Sequence, residues 1–152
     1  IKNWGGPGMK PGLRKEWGGR KKVLLTHPLS RDAPCILSRS VDVLAGKKTA
    51  LTFAVNNHPK GNWTLVVRIA GDEVLRKSID DSSWQEFQFD LTKHAGETIK
   101  IELENRASDW AFEAAYWGNI AVESKLKAPI KPDAGDPAKR DALSAPYNRN
   151  KN

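Results

Sequence analysis

The chain of 152 residues has the length of one domain, enough to close a hydrophobic core without metal or disulfide support. Its single cysteine, Cys35, excludes an internal disulfide and any site built from paired cysteines. No apolar run approaches the roughly 18 residues that a membrane span needs, so we expect no membrane insertion.

The net charge of +7 lies in the two ends of the chain. Residues 1–22 carry seven Lys or Arg against one Glu, and residues 125–152 carry seven against three Asp. Residues 23–124, in contrast, hold 11 basic and 14 acidic side chains. A nucleic-acid-binding domain would carry a basic stripe on its folded part, so this distribution argues against a nucleic-acid partner.

Both ends lack an apolar period. Half of the 12 glycines lie in residues 1–20, and four of the nine prolines follow residue 128. Such segments are typical of irregular arms. We therefore divide the chain into a Gly-rich basic arm (1–20), a β-sandwich domain (21–124) and a Pro/Lys-rich basic tail (125–152).

Short segments with alternating apolar and polar residues fill the middle of the chain. In the clearest one, Ile99, Ile101 and Leu103 point to one face and the polar residues between them to the other. The predicted strands are 21–26, 35–43, 49–55, 63–69, 73–79, 84–91, 98–105 and 112–122, with one helical turn between 91 and 96. About eight strands with one polar face each predict an all-β fold, an antiparallel β-sandwich.

Two segments carry a family resemblance. They are LTFAVNNHPKGNWTLVVRIAGDEVL (51–75) and WQEFQFDLTKHAGETIKIELENRASDWAFEAAYWGNIAV (84–122). Their sequence and order resemble the galactose-binding-like jelly-roll domains that occur as carbohydrate-binding modules and as appendages of secreted bacterial proteins. The resemblance covers about residues 20–124. It implies a jelly roll that binds sugars through loops at one end or on one sheet face, often with a structural calcium, or that only docks its neighbours.

Strand parity predicts which loops meet. If successive strands run up and down, the loops after alternate strands share one end of the sandwich. This groups the loops 27–34, 56–62, 80–83 and 105–109, with the polar and aromatic residues His27, Asn57, His58, Asn62, Asp80, Asp81, Asn105, Arg106, Asp109 and Trp110. A sugar site needs a flat ring for the C–H face of the sugar and planar polar groups for its hydroxyls. The predicted ligand-binding residues are Trp110 as the ring, with Asn105, Arg106 and Asp109 beside it and Asn62 and His58 from the neighbouring loop.

Structural roles compete with these assignments. Trp63 and Trp84 begin strands in register with inward residues, which favours a structural role, in the core or as a lid on it. Strict alternation from Phe112 points Trp117 outward together with Glu113, unless a bulge at Gly118 turns it inward. A second alternative is that Arg106 and Asp109 only pair with each other at the surface, which contributes at most about 1 kcal/mol.

The sequence offers weak support for catalysis or for a metal site. Asp109 and Glu113 could form the two-carboxylate arrangement of glycoside hydrolysis, but nothing predicts a deep dry cleft, and no hydrolase or phosphate-binding motif is present. The three histidines lack metal-ligand spacing. Asp80, Asp81 and Glu97 supply oxygen ligands in loops, so a structural calcium stays open without a defined site.

These observations favour a non-catalytic binding module of a secreted protein, with carbohydrate as its ligand and no cofactor beyond that calcium. The start at Ile1 rather than Met favours a matured chain, so we expect an extracytoplasmic location. The alternative is a structural or accessory subunit of a larger assembly, whose basic arms dock on neighbouring chains through Trp4, Trp17 and Tyr147.

Overall fold

Two antiparallel sheets packed face to face form the fold. The computed structural model describes residues 10–127, and within this range the chain has nine strands. The first sheet has the order β1 (Gly12–Trp17), β2 (Arg20–Thr26), β9 (Ala115–Leu126), β4 (Lys47–Asn57), β7 (Gln85–Asp90). The second has the order β3 (Cys35–Asp42), β8 (Thr98–Arg106), β5 (Trp63–Ile69), β6 (Asp72–Ile79). No helix among the described residues is long and apolar enough to cross a membrane.

The strand order is that of a jelly roll. The chain changes sheet at every connection except β1–β2 and β5–β6, which gives the interleaved orders β2-β9-β4-β7 and β3-β8-β5-β6. The predicted antiparallel β-sandwich is confirmed, with β1 as one strand more than predicted. A single turn of 3-10 helix, Thr92–His94, lies in the segment where one helical turn was predicted.

The core forms between the sheets, from the residues that the alternation points inward. Ile99, Ile101 and Leu103 are buried as predicted. Trp63 and Trp117 are the largest fully buried side chains, and their ring centroids lie 5.2 Å apart. Burial of each indole N–H requires an acceptor, and Trp63 Nε1 donates to the Asn56 carbonyl oxygen at 3.1 Å.

Trp117 faces the core, so strict alternation is wrong here and the bulge that the sequence left open beside Gly118 is found. Ala54 pairs with Gly118 but Thr52 pairs with Ala121, so two residues of β9 oppose one residue of β4. This β-bulge, in which Asn119 has a φ of 52°, changes the phase of the strand. Before the bulge, Trp117 faces the core and its neighbour on either side faces outward.

The β1–β2 hairpin folds over the outer face of the five-stranded sheet. β2 contains Lys22 with a φ of 56°. The turn of the hairpin lies over β9 and β4, since an ideal Cβ at Gly118 would lie 3.7 Å from Arg20 Cδ and one at Gly18 3.5 Å from Asn56 Nδ2. There Trp17 stacks on Tyr116 with ring centroids 3.5 Å apart. This packing explains why residues 12–17 form a strand, where the sequence predicted an irregular arm. Residues 1–9 and the tail from 128 onward, with Trp4 and Tyr147, lie outside the described residues.

The structural role predicted for Trp84 is found on the outer face of the sheet and not between the two sheets. Its ring lies on the outer face, where Nε1 donates to the Gly18 carbonyl oxygen at 2.8 Å and the Arg20 guanidinium lies 4.6 Å from the ring centroid. Arg20 also pairs with Glu86 of β7. Trp84 therefore fastens the hairpin turn to the far side of the sheet.

A buried hydroxyl links the two sheets near the end at which β2 and β8 finish. Thr26 Oγ1 accepts hydrogen bonds from Trp117 Nε1 at 2.9 Å and from Asn105 Nδ2 at 3.1 Å, and all three residues are buried. Because the two donors sit on different sheets, this single oxygen links the sheets at this point.

Replacing Thr26 by Val keeps the volume but removes the acceptor of both donors. Leaving two buried N–H groups with poorer partners should lower the free energy of unfolding by about 2 to 4 kcal/mol. Urea unfolding measures the loss. The control is Thr64→Val, which removes a hydroxyl that bonds Ser108 at an exposed position and should cost less than about 1 kcal/mol. Equal losses in the two variants would contradict the assigned role of Thr26.

Candidate functional site

Four loops meet at one end of the sandwich, which we call the loop edge: residues 27–34, 58–62, 80–84 and 107–114. The His27 ring lies 5.4 Å from that of Trp110, which joins the first loop to the last. The backbone N–H of Ser82 donates to Asn57 Oδ1 at 2.8 Å, which joins the third loop to the end of β4. The structure thus brings together the loops that strand parity grouped.

The second loop packs directly on the last one. An ideal Cβ at Gly61 would lie 2.3 Å from the carbonyl oxygen of Phe112 and 2.4 Å from that of Ala111, so no larger residue fits. The hydroxyls of Thr64 and Ser108 lie 2.9 Å apart beside this contact. The glycine therefore allows the backbones of the two loops to touch.

A buried carboxyl group holds the last loop in shape. Glu113 is fully buried, and its Oε2 and Oε1 accept hydrogen bonds from the backbone N–H groups of Ser108 at 2.9 Å and Asp109 at 3.0 Å. Burial, with the neighbouring Asp109 carboxyl, raises the pKa of Glu113 to about 7. The hydrogen bond from Glu113, followed by that from the Ala111 N–H, lowers the pKa of Asp109. The pair therefore favours a protonated Glu113 beside an anionic Asp109.

This arrangement does not fit the two-carboxylate mechanism that the sequence left open. Glu113 was expected to point outward, but it faces the backbone of its own loop and has no surface from which to meet a substrate. Of the two carboxyl groups, Asp109 is exposed and Glu113 is not. The geometry makes Glu113 a support of the loop and Asp109 a surface acceptor.

Two aromatic rings stand at the surface of the loop edge. Trp110 is half-buried against His27, and Phe112 is 45% exposed and stacks on His58 at 4.6 Å between centroids. Phe112 has a φ of 52°, a left-handed conformation that costs an aromatic residue on the order of 1 kcal/mol or more. Such strain at an exposed ring is a feature of functional sites.

The structure distributes the six predicted ligand-binding residues over the loop edge and its surroundings. Trp110, Asp109 and His58 lie on its surface. Asn62 is half-buried, and its Oδ1 is buried without a hydrogen-bond partner among the described residues. Arg106 lies at the end of β8, where its Nε donates to Glu104 Oε2 at 2.7 Å, so the alternative pairing with Asp109 is not observed.

Asn105 needs a correction, because it is fully buried and cannot touch a ligand. Its side chain donates to Thr26 and to the Glu113 carbonyl oxygen at 3.3 Å. Conversely, the sequence missed Phe112, which was counted as a strand residue, and Lys60, whose Nζ lies 6.0 Å from the Phe112 ring centroid. The only sequence signal for these two residues was the turn sequence HPKG (58–61), which contains Lys60 and predicts a tight loop.

The carboxylates considered for calcium do not converge. Asp80 and Asp81 belong to the loop edge, whereas Glu97 lies at the opposite end of the sandwich, where its carbonyl oxygen accepts a hydrogen bond from the N–H of Val43. Between residues 10 and 127, no group of three His, Cys, Asp or Glu side chains is arranged to hold a metal ion.

A second polar surface lies on the outer face of the five-stranded sheet, beyond the β1–β2 hairpin. It is an open groove of about 480 Å³ with small residues on its floor, such as Ala50 and Thr52. Gln88 and Asp90 line one side, and Glu123 and Lys125 line the other. Among residues 10–127 no aromatic ring lines this groove, in contrast to the loop edge.

The raised pKa of Glu113 predicts a stability that depends on pH. The Glu113 carboxyl has a pKa of about 7 in the native state and 4.5 in the unfolded state. Between these two pH values the native state binds more protons than the unfolded state, so the free energy of unfolding falls as pH rises from 4.5 to about 7. Urea unfolding from about pH 5 to about pH 8 should show this fall relative to Glu113→Gln, which does not titrate.

That comparison is needed because His58 acts in the opposite direction. Burial, with Lys60 nearby, lowers the pKa of His58 below 6.5, so its contribution to stability increases as pH rises toward 6.5. The difference between the parent chain and Glu113→Gln cancels this part. A difference that does not change with pH would contradict the protonated state assigned to Glu113.

The comparisons with known proteins support the fold. No protein-family model and no curated protein matches the chain. A CBM4 structure superposes with a TM-score of 0.51 and 14% identity over 76% of this chain and 78% of its own. The CBM22-1 xylan-binding domain of Paenibacillus barcinonensis Xyn10C superposes with a TM-score of 0.52 and 15% identity, over 78% of this chain and 83% of its own. CBM51 of Clostridium perfringens GH95, in complex with methyl-galactose, superposes with a TM-score of 0.52 and 13% identity, over 75% of this chain and 81% of its own.

The chain therefore has the β-sandwich of carbohydrate-binding modules. The resemblance predicted from the sequence is confirmed at this level. Identities this low show a common fold, and the ligand has to be argued from the residues of this chain.

Proposed function

We propose that this protein is a non-catalytic module that binds carbohydrate at its loop edge. The observation that carries the proposal is one loop that carries the exposed, strained Phe112 ring, the half-buried Trp110 ring and the anionic Asp109. Rings and hydrogen-bonding groups in this combination suit a sugar, which has an apolar C–H face and a rim of hydroxyls. That the similar structures include a xylan-binding domain and a methyl-galactose complex adds support.

Each group has a role in this proposal. A pyranose ring rests on Phe112 or Trp110 and excludes water from its C–H face. Asp109 accepts hydrogen bonds from sugar hydroxyls, because its carboxylate stays ionised and a charged acceptor forms the stronger bond. Lys60 and the amide of Asn62 approach from the neighbouring loop and supply donors.

Binding without reaction follows from the position of the second carboxyl group. Glycoside hydrolysis needs an acid and a base or nucleophile on both sides of the scissile bond. At the loop edge Asp109 is exposed, but Glu113 is enclosed by the backbone of residues 108 and 109. For a carbohydrate-binding module, an extracytoplasmic location is part of the same proposal.

The alternative of a structural subunit with docking arms is weaker for the described part of the chain. Trp17, one of its three predicted anchors, packs on Tyr116 of its own domain. The acidic middle and basic ends still favour electrostatic contact with a neighbour. This alternative now depends on residues 1–9 and 128–152.

Calorimetric titration of the full chain against a panel of monosaccharides and oligosaccharides tests the proposed function. Burial of about 80 Å² of ring surface contributes about 2 kcal/mol, so Trp110→Ala or Phe112→Ala should weaken binding of a panel sugar about thirtyfold. Asp109→Asn should weaken it by a smaller factor. Thermal unfolding confirms that each variant is folded.

Gln88→Ala is the matched control, because it removes a polar side chain from the outer-face groove. It should leave the affinity unchanged. Loss of binding in Gln88→Ala with full binding in Trp110→Ala would place the ligand in the groove and refute the loop-edge site. No binding to any sugar of the panel would refute the function.

A further inference from the structure

The second half of β9 has an unpaired edge. β9 pairs with β4 from Ala115 to Leu126, but with β2 only from Ala115 to Trp117. Beyond this point β2 leaves the sheet with its hairpin, and within residues 10–127 no other strand pairs with residues 119–126 on that side. These eight residues contain no proline, so their N–H and C=O groups on this side can accept another strand.

An apolar cleft lies beside this edge. It opens between the two sheets and has a volume of about 130 Å³. Most of its lining is apolar and comes from both sheets, including Leu37, Val41 and Leu51, and Ser38 and Arg39 of β3 also line it. From β9, Val122 lines the cleft, and at the end of the strand Leu126 is 80% exposed. A strand added to β9 would cover this opening with its own inward-facing side chains.

The charges on β9 are self-complementary: when two β9 strands lie antiparallel, the acidic residue of each can face the basic residue of the other. Glu123 and Lys125 point to the outer face, where their Cα partners on β4 are Ala50 and Lys48. In the part of the chain that the structure describes, neither forms an ion pair. In an antiparallel β9–β9 pair centred on Ser124, Glu123 of each copy would face Lys125 of the other, and Val122 would face Leu126.

We propose that this edge is an isologous interface, through which a second copy of the chain extends the five-stranded sheet across β9. The two-fold axis passes beside Ser124. Each copy contributes main-chain hydrogen bonds, two cross-strand ion pairs form on the outer face, and Leu126 of each copy covers the cleft of the other. An alternative strand, from an unrelated protein, would have no reason to match this charge order.

This pairing is separate from the binding of sugar, but it would change how the protein engages a polysaccharide. β9 starts at the loop edge, and the centre of the pair lies nine residues along the strand, about 30 Å away. Because the two strands are antiparallel, the two loop edges would point in opposite directions about 60 Å apart. The dimer would therefore present two sites to separate chains, or to distant parts, of a polysaccharide.

Sedimentation velocity and light scattering of the full chain over a range of concentrations test the interface by charge exchange. The parent chain should form a dimer. Glu123→Lys or Lys125→Glu alone places like charges opposite each other at both symmetric positions, and each should weaken self-association about tenfold. The double variant Glu123→Lys/Lys125→Glu restores opposite charges and should dimerise like the parent.

A mixture of the two single variants gives the decisive result. In the mixed pair every position again holds opposite charges, so heterodimers should form at concentrations where each single variant alone is monomeric. A parent chain that is monomeric at all concentrations would overturn the proposal, as would single variants that dimerise like the parent. Sugar binding by the monomer is measured separately, so failure of the interface leaves the loop-edge proposal standing.

Discussion

The hydroxyl of Thr26 accepts one hydrogen bond from Trp117, in its own sheet, and one from Asn105, in the opposite sheet. Because all three groups are buried, each donor needs a partner inside the protein, and this oxygen connects the paired strands β2 and β9 to β8 of the opposite sheet. The first and last loops of the loop edge begin at these strand ends. The 5.4 Å contact between His27 and Trp110 lies directly above this hydrogen-bonded centre, since His27 follows Thr26 in the chain.

Glu113 continues this polar support toward the surface. Its carboxyl group accepts from two successive N–H groups of the loop, and its carbonyl oxygen accepts from Asn105, so the loop is connected to the Thr26 centre through one side chain. A loop held in this way can keep Phe112 at a positive φ without relaxing. Fixed rings bind with less loss of conformational entropy, which favours recognition of a rigid ligand such as a sugar.

The strands were predictable because alternation survives wherever one face is buried, as in β5 and β8. The predictions of side-chain direction that failed depend on local backbone geometry, which composition does not reveal. A bulge at Asn119 reversed the phase at Trp117, and the positive φ of Phe112 placed that ring outside the strand. Strand parity predicted the meeting of the loops, since it needs only strand directions. It could not separate the buried Asn105 from the exposed Asp109, because burial at a strand end depends on the loop that folds over it.

The same bulge connects the core to the free edge of β9. A bulge bends its strand and increases the local twist. Before it, β9 carries Trp117 into the core and pairs with β2, and after it the strand continues along β4 alone. The hairpin that leaves the sheet at this point packs its Trp17 on Tyr116, so the stacking that covers one face of the sheet also removes β2 from the edge. Burial of Trp117 and Tyr116 on opposite faces and exposure of residues 119–126 are thus consequences of one arrangement, and restoring a full β2–β9 pairing would require the Trp17–Tyr116 stack to break.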